Sequence, residues 1–144
     1  MFEDIKAIQK TNKQTAILLK QLRSSGLFET NNEAFVILRA CLKALRDRLP
    51  PDEVLHLASQ LPALLKGYYF EGWKINREQK PLSGGKHPVD FIEDVRAHLH
   101  GHDQIDLFAA VPVALKVILD AIDQGEAIQV LHCLPKEIKE LFPE

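Results

Sequence analysis

One methionine, one tryptophan, two cysteines and two tyrosines are all that 144 residues hold of those types. Cys41 and Cys133 cannot make a disulfide framework, so two structural thiols are expected. A strong charge of either sign is missing as well. The 18 Lys+Arg against 20 Asp+Glu leave a net charge of −2, which supplies no global field to recruit nucleic acid or anionic lipid. No apolar run reaches the roughly 18 residues that a membrane span needs. The opening Met1-Phe2-Glu3-Asp4-Ile5 is acidic with no apolar stretch behind it, unlike a signal or transit peptide, so a cytoplasmic location is the expectation. Nucleophile-elbow, Walker and dinucleotide motifs are absent, which removes the enzyme classes that those loops mark. So is any alternation of apolar and polar residues bounded by turns, which leaves little room for a sheet.

What remains is an ordinary globular composition, 46% hydrophobic and 26% charged, on a chain suited to one compact domain. The sequence is also written twice. Shifted by 73 positions, residues 35 to 69 fall on residues 108 to 142 without a gap. Eight pairs are identical: Phe35/Phe108, Leu42/Leu115, Lys43/Lys116, Asp47/Asp120, Glu53/Glu126, Leu61/Leu134, Pro62/Pro135 and Lys66/Lys139. Others exchange one apolar residue for another, as in Leu55/Ile128, Leu65/Ile138 and Tyr69/Phe142. A tandem duplication of a helical unit accounts for this pattern. Neither cysteine is repeated; Ala114 and Gln60 stand opposite them.

Phe35, Leu38, Leu42, Leu45 and Leu49 have the 3-4-3-4 spacing of one helix face, and Phe108, Val111, Leu115, Ile118 and Ile122 repeat it. Thr30 with Glu33 predicts a capping box. Pro50-Pro51 ends the first stripe and opens the next helix, with Asp52 and Glu53 favourable in its first turn. Leu61-Pro62 and Leu134-Pro135 mark further helix starts. The leading helices are expected at about 12–24, with Asn12 as cap, and at about 88–99, opened by Pro88; residues 2–9 suggest an extra helix. The fold class is therefore all-α. A single domain over 1–144 would hold a first repeat (about 12–73), a linker (74–87) and a second repeat (about 88–144), each of two longer and two short helices.

The run from Leu38 to Trp73 carries Arg46-Asp47-Arg48-Leu49-Pro50-Pro51-Asp52-Glu53, His56-Leu57, Gln60-Leu61-Pro62, Leu65, Gly67, Tyr69 and Gly72-Trp73. It resembles the bacterial family known as domain of unknown function 2267. The second half is similar more loosely, through Phe91, Val95 and Leu134-Pro135, and departs at Asp123-Gln124-Gly125. The resemblance covers roughly 15 to 144 and implies a helical, two-repeat cytoplasmic domain; it carries no catalytic residue and no cofactor.

Candidate sites are few. Tyr68, Tyr69, Phe70 and Trp73 precede Lys74 and Arg77. Tyr69 pairs with Phe142 and is expected in the core, whereas Trp73 has no copy and either docks a partner or plugs the seam between the repeats. His98, His100 and His102 followed by Asp103 resemble a zinc signature in the wrong order and on a helix end, where histidines also suit the dipole. Cys41 lies beside an apolar stripe and reads as an inert thiol, as does Cys133. Lys74, Arg77, Lys80 and Lys86 make the linker basic.

The reading that results is a non-enzymatic, cytoplasmic protein-interaction or regulatory module. It binds another protein through Tyr68, Trp73, Lys74 and Arg77, with a homodimer compatible and no cofactor, membrane or nucleic acid implied. The alternatives are a metal-dependent sensor or enzyme using His98, His100, His102 and Asp103, and a weak nucleic-acid binder through the basic loop 74–86.

Overall fold

The computed structural model describes residues 2, 4–74, 84–102 and 104–143. Its helices are α1 (Lys6–Arg23), α2 (Asn31–Arg46), α3 (Pro51–Ser59), α4 (Ala63–Phe70), α5 (Pro88–Ala97), α6 (Leu107–Ala121), α7 (Gln124–His132) and α8 (Lys136–Lys139). Among the described residues there is no strand, and the fold is all-α. No described helix is long and apolar enough to cross a membrane.

Local chemistry explains most boundaries. Thr30 Oγ1 accepts the Glu33 N–H at 3.1 Å, so half of the expected capping box forms; the Glu33 carboxylate reaches back one residue further, to the Glu29 N–H at 2.9 Å. Pro51 opens α3 with Asp52 and Glu53 in its first turn, and Pro62 and Pro135 occupy the N-cap positions of α4 and α8. Asp123 caps α7 by accepting the Glu126 N–H at 2.8 Å. At the head of α5, His87 and Asp90 form a reciprocal capping box.

The first helix differs from expectation. It runs unbroken from Lys6 to Arg23 with Ile5 at its N-cap, so Asn12 is not a cap and residues 2–9 hold no separate helix. Thr11 and Asn12 are weak helix formers, but each costs only a few tenths of a kcal/mol, less than starting a new helix.

Helix α2 is central. Ala34, Ile37, Leu38, Ala40, Cys41, Leu42, Ala44 and Leu45 are all buried, too many for one stripe, and the helix packs against α1, α4, α5 and α6. Helices that the 73-residue shift brings into register meet, α2 on α6 and α3 on α7; α1 also lies on α6, and α5 on α2. The repeated stripes are buried except at their first residue. Phe35 is half-buried against Tyr68, while Phe108 is 62% exposed. The counterpart of Tyr68 is Leu141, beyond the four-residue α8, which packs on α5, so Phe108 has no matching aromatic lid.

Three consecutive charges close α2. Arg46 is buried and donates through Nη1 to the carbonyl oxygens of Tyr69 (2.9 Å) and Glu71 (2.8 Å), the orphan acceptors at the end of α4. Its Nε and Nη2 both donate to Asp47 Oδ1, at 2.9 and 2.7 Å. Asp47 Oδ2 meets His98 Nε2 at 3.1 Å, and Arg48 Nη2 meets Asp94 Oδ2 at 2.7 Å, so α2 is fastened to α5 twice. Tyr69 is fully buried, as its pairing with Phe142 led us to expect, and its hydroxyl donates to the Val54 carbonyl at 2.9 Å.

Replacing Arg46 by Ala strands the Asp47 carboxylate and two α4 carbonyls, so urea unfolding should show a loss of about 3–5 kcal/mol. Tyr69→Phe removes a single buried donor, and the same measurement should register about 1–2 kcal/mol.

Candidate functional site

The aromatic residues at the end of α4 are held by α2. The Arg39 guanidinium lies 3.9 Å over the half-buried Tyr68 ring, which Phe35 meets edge-on at 5.5 Å. One turn along α2, Lys43 holds Glu71 Oε1 at 2.6 Å, and that hydrogen bond keeps the Glu71 carboxyl below its usual range. Trp73 is half-buried against the core, its ring 5.7 Å from Phe70, and its indole N–H is buried without an acceptor among the described residues. Lys74 is exposed, whereas Arg77 lies outside the described residues. Tyr68, Trp73 and Lys74 thus follow one another at the end of α4. Arg39 was not legible as their neighbour, because its counterpart in the second half is Pro112.

Where α5 ends, the histidine run separates. His98 is engaged by Asp47, and His100 is exposed in a left-handed conformation (φ 48°) followed by Gly101 (φ 96°). His102 is half-buried, and Asp103 lies outside the described residues, as does most of the basic loop (75–83 of 74–86). With Val36, Arg39, Ala40, Lys43 and Leu99, the three histidines line a cleft of about 180 Å³. The structure therefore places the histidine run beside the α2 ridge that supports Tyr68. Arg39 and Lys43 give this cleft a cationic wall.

Neither thiol is activated. Burial pushes the Cys41 thiol far up, and Cys133 is raised first by burial and then by the carboxylates of Glu53, Asp52 and Glu126.

Those carboxylates form a second constellation. Glu53 and Glu126, identical across the repeat, sit in the first turns of α3 and α7 and meet where those helices pack. Both are buried, and the Oε2 of each has no hydrogen-bond partner among the described residues; His56 Nδ1 stands 3.4 Å from Glu53 Oε2 without completing a bond. The Glu126 carboxyl is pushed up to about 7, first by burial, then by its hydrogen bond to Glu53 and the charge of that neighbour. Sequence reasoning did not single out this pair, although the identity of the two positions was the available signal.

A carboxyl raised in the folded state holds its proton more tightly there than in the unfolded chain. Its contribution to stability is therefore complete below the ordinary value of 4.5 and is lost as the pH climbs through about 7. Glu126→Gln should consequently raise stability at pH 8 by on the order of 1–2 kcal/mol and have little effect at pH 4, measured by urea unfolding at both values.

No curated protein matches the chain. A protein-family match covers residues 15–141, from within α1 to just past α8, and takes in every element of both constellations. With that span of its 144 residues matched, the chain belongs to the family described as Uncharacterized conserved protein (DUF2267).

Proposed function

We propose that the chain is a non-enzymatic interaction module of the bacterial cytoplasm that binds an acidic segment of another protein. The contact face runs from Tyr68, Trp73 and Lys74 to the cleft between α2 and the end of α5; Arg77, which belongs to the proposal by sequence, lies outside the described residues. The observation that carries this reading is the convergence of Arg39, Lys43, His98, His100 and His102 on one cleft of about 180 Å³, with Tyr68 stacked on its rim through Arg39. Aromatic and guanidinium groups in partly desolvated positions are the residue types that dominate protein interfaces. A cationic wall on a chain of net charge −2 favours a local acidic motif over a nucleic-acid backbone, which needs a wider basic surface.

The two halves are, in this reading, copies of one helical unit within one domain over 1–144. The packing of α2 on α6 and of α3 on α7 supports it. The face lies on the first copy, where Arg39 and Tyr68 stand against Pro112 and Leu141 of the second.

The test is affinity capture from native cytosol, with bound proteins identified by mass spectrometry and the binding repeated with purified partner. Lys43→Glu should weaken the interaction by at least about tenfold and Tyr68→Ala should abolish it in protein shown to be folded by circular dichroism. A partner held equally well by both variants, or a failure to retain any protein, contradicts the proposal. Capture of a second copy of this chain alone would make the face a dimer interface instead.

A further inference from the structure

We propose that Glu53, His56 and Glu126 form a binding site for one divalent first-row transition cation, zinc foremost, which clips α3 to α7. This site is separate from the contact face described above.

Glu53 and His56 are three residues apart on α3 and so share a helix face, while Glu126 arrives from α7. One ligand atom from each lies within 4.8 Å of the others. Metal–ligand bonds of about 2.0–2.2 Å require donors somewhat closer together than that. The residue that must move is His56, whose side chain is 72% exposed and free to swing inward.

The second observation is independent of the cluster's composition. Glu53 and Glu126 are only 6% and 8% exposed, yet the Oε2 of each is buried with no hydrogen-bond partner, in carboxylates that each bring an oxygen within 4.8 Å of the other. Among the described residues no lysine or arginine pairs with either one. Two facing carboxylates out of water need a counter-charge, and a bound cation supplies it together with the missing bonds. The donor set selects the metal. Two oxygens and an imidazole nitrogen suit zinc and its neighbours, whereas magnesium and calcium favour oxygen alone.

The repeat explains why the site takes a single ion. Glu53-Val54-Leu55-His56 pairs a carboxylate with an imidazole one helical turn on, and its counterpart is Glu126-Ala127-Ile128-Gln129. Gln129 stands where a second imidazole would complete a two-metal arrangement.

The experiment uses full-length protein without a histidine tag, stripped with chelator and titrated with zinc chloride by calorimetry. Magnesium chloride serves as the control. One zinc per chain is expected, with a rise in Tm on loading and no response to magnesium. Glu126→Gln and His56→Ala should each weaken zinc binding by at least about tenfold, while His100→Ala and His102→Ala should leave it unchanged. His56→Ala alters a side chain already in solvent, so it reads the site even if Glu126→Gln perturbs the fold. The absence of saturable zinc binding below about 100 μM, or binding lost with His100 and His102 but retained without His56, overturns the proposal.

Discussion

Arg46, Asp47 and Arg48 put three charged side chains almost wholly out of water at one point of the chain, and the surrounding helices are arranged to satisfy them. A buried charge without a partner costs several kcal/mol, so each must find one. Arg46 finds Asp47 and the last carbonyls of α4, Asp47 finds His98, and Arg48 finds Asp94. The result is locally neutral and directional. It fixes the end of α4 and the length of α5 against α2 in a way that the apolar core, which is indifferent to small rotations, cannot. The core supplies most of the driving force, and the charges select the arrangement.

That anchoring bears on function through α2 itself. Arg39 and Lys43 lie about two turns and one turn upstream of Arg46, respectively, on a helix clamped at its C-terminal end. His98 belongs to both systems, since its ring holds Asp47 on one side and lines the cationic cleft on the other. The cleft is therefore built on a rigid wall. At the α3–α7 contact the situation is reversed: two buried carboxyl groups meet and only an exposed imidazole is at hand. In one buried polar cluster every charge has an opposite charge within the chain, and the other is one positive charge short.

Much of the architecture was legible in the residues. The prolines at 50–51, 62 and 135 marked helix starts, and the 3-4 spacing located α2 and α6, because steric and periodic rules act locally. What the sequence did not reveal is how identical residues are treated differently. Asp47 and Asp120 match under the 73-residue shift, yet Asp47 is buried between Arg46 and His98, while Asp120 is exposed with Lys116 at 3.0 Å. Phe35 is stacked, and Phe108 faces solvent. The partners differ: Arg46 beside Asp47, and Tyr68 far along the chain from Phe35, are replaced by Leu119 and Leu141 at the matching positions of the second half. The Glu53/Glu126 pair was overlooked for the opposite reason: two glutamates in first turns look like ordinary dipole partners until α3 is seen to pack on α7.

The central claim is that buried charge at the end of α2 locks α2 to α5, and Arg48 with Asp94 is, beside Asp47 with His98, one of the two pairs that cross between them. A double-mutant cycle with Arg48→Met and Asp94→Leu, followed by urea unfolding, measures their coupling directly. The account predicts a favourable coupling of about 2–3 kcal/mol, with each single variant costing more than the double. A coupling within about 0.5 kcal/mol of zero would show that apolar packing alone sets the arrangement and would contradict the account.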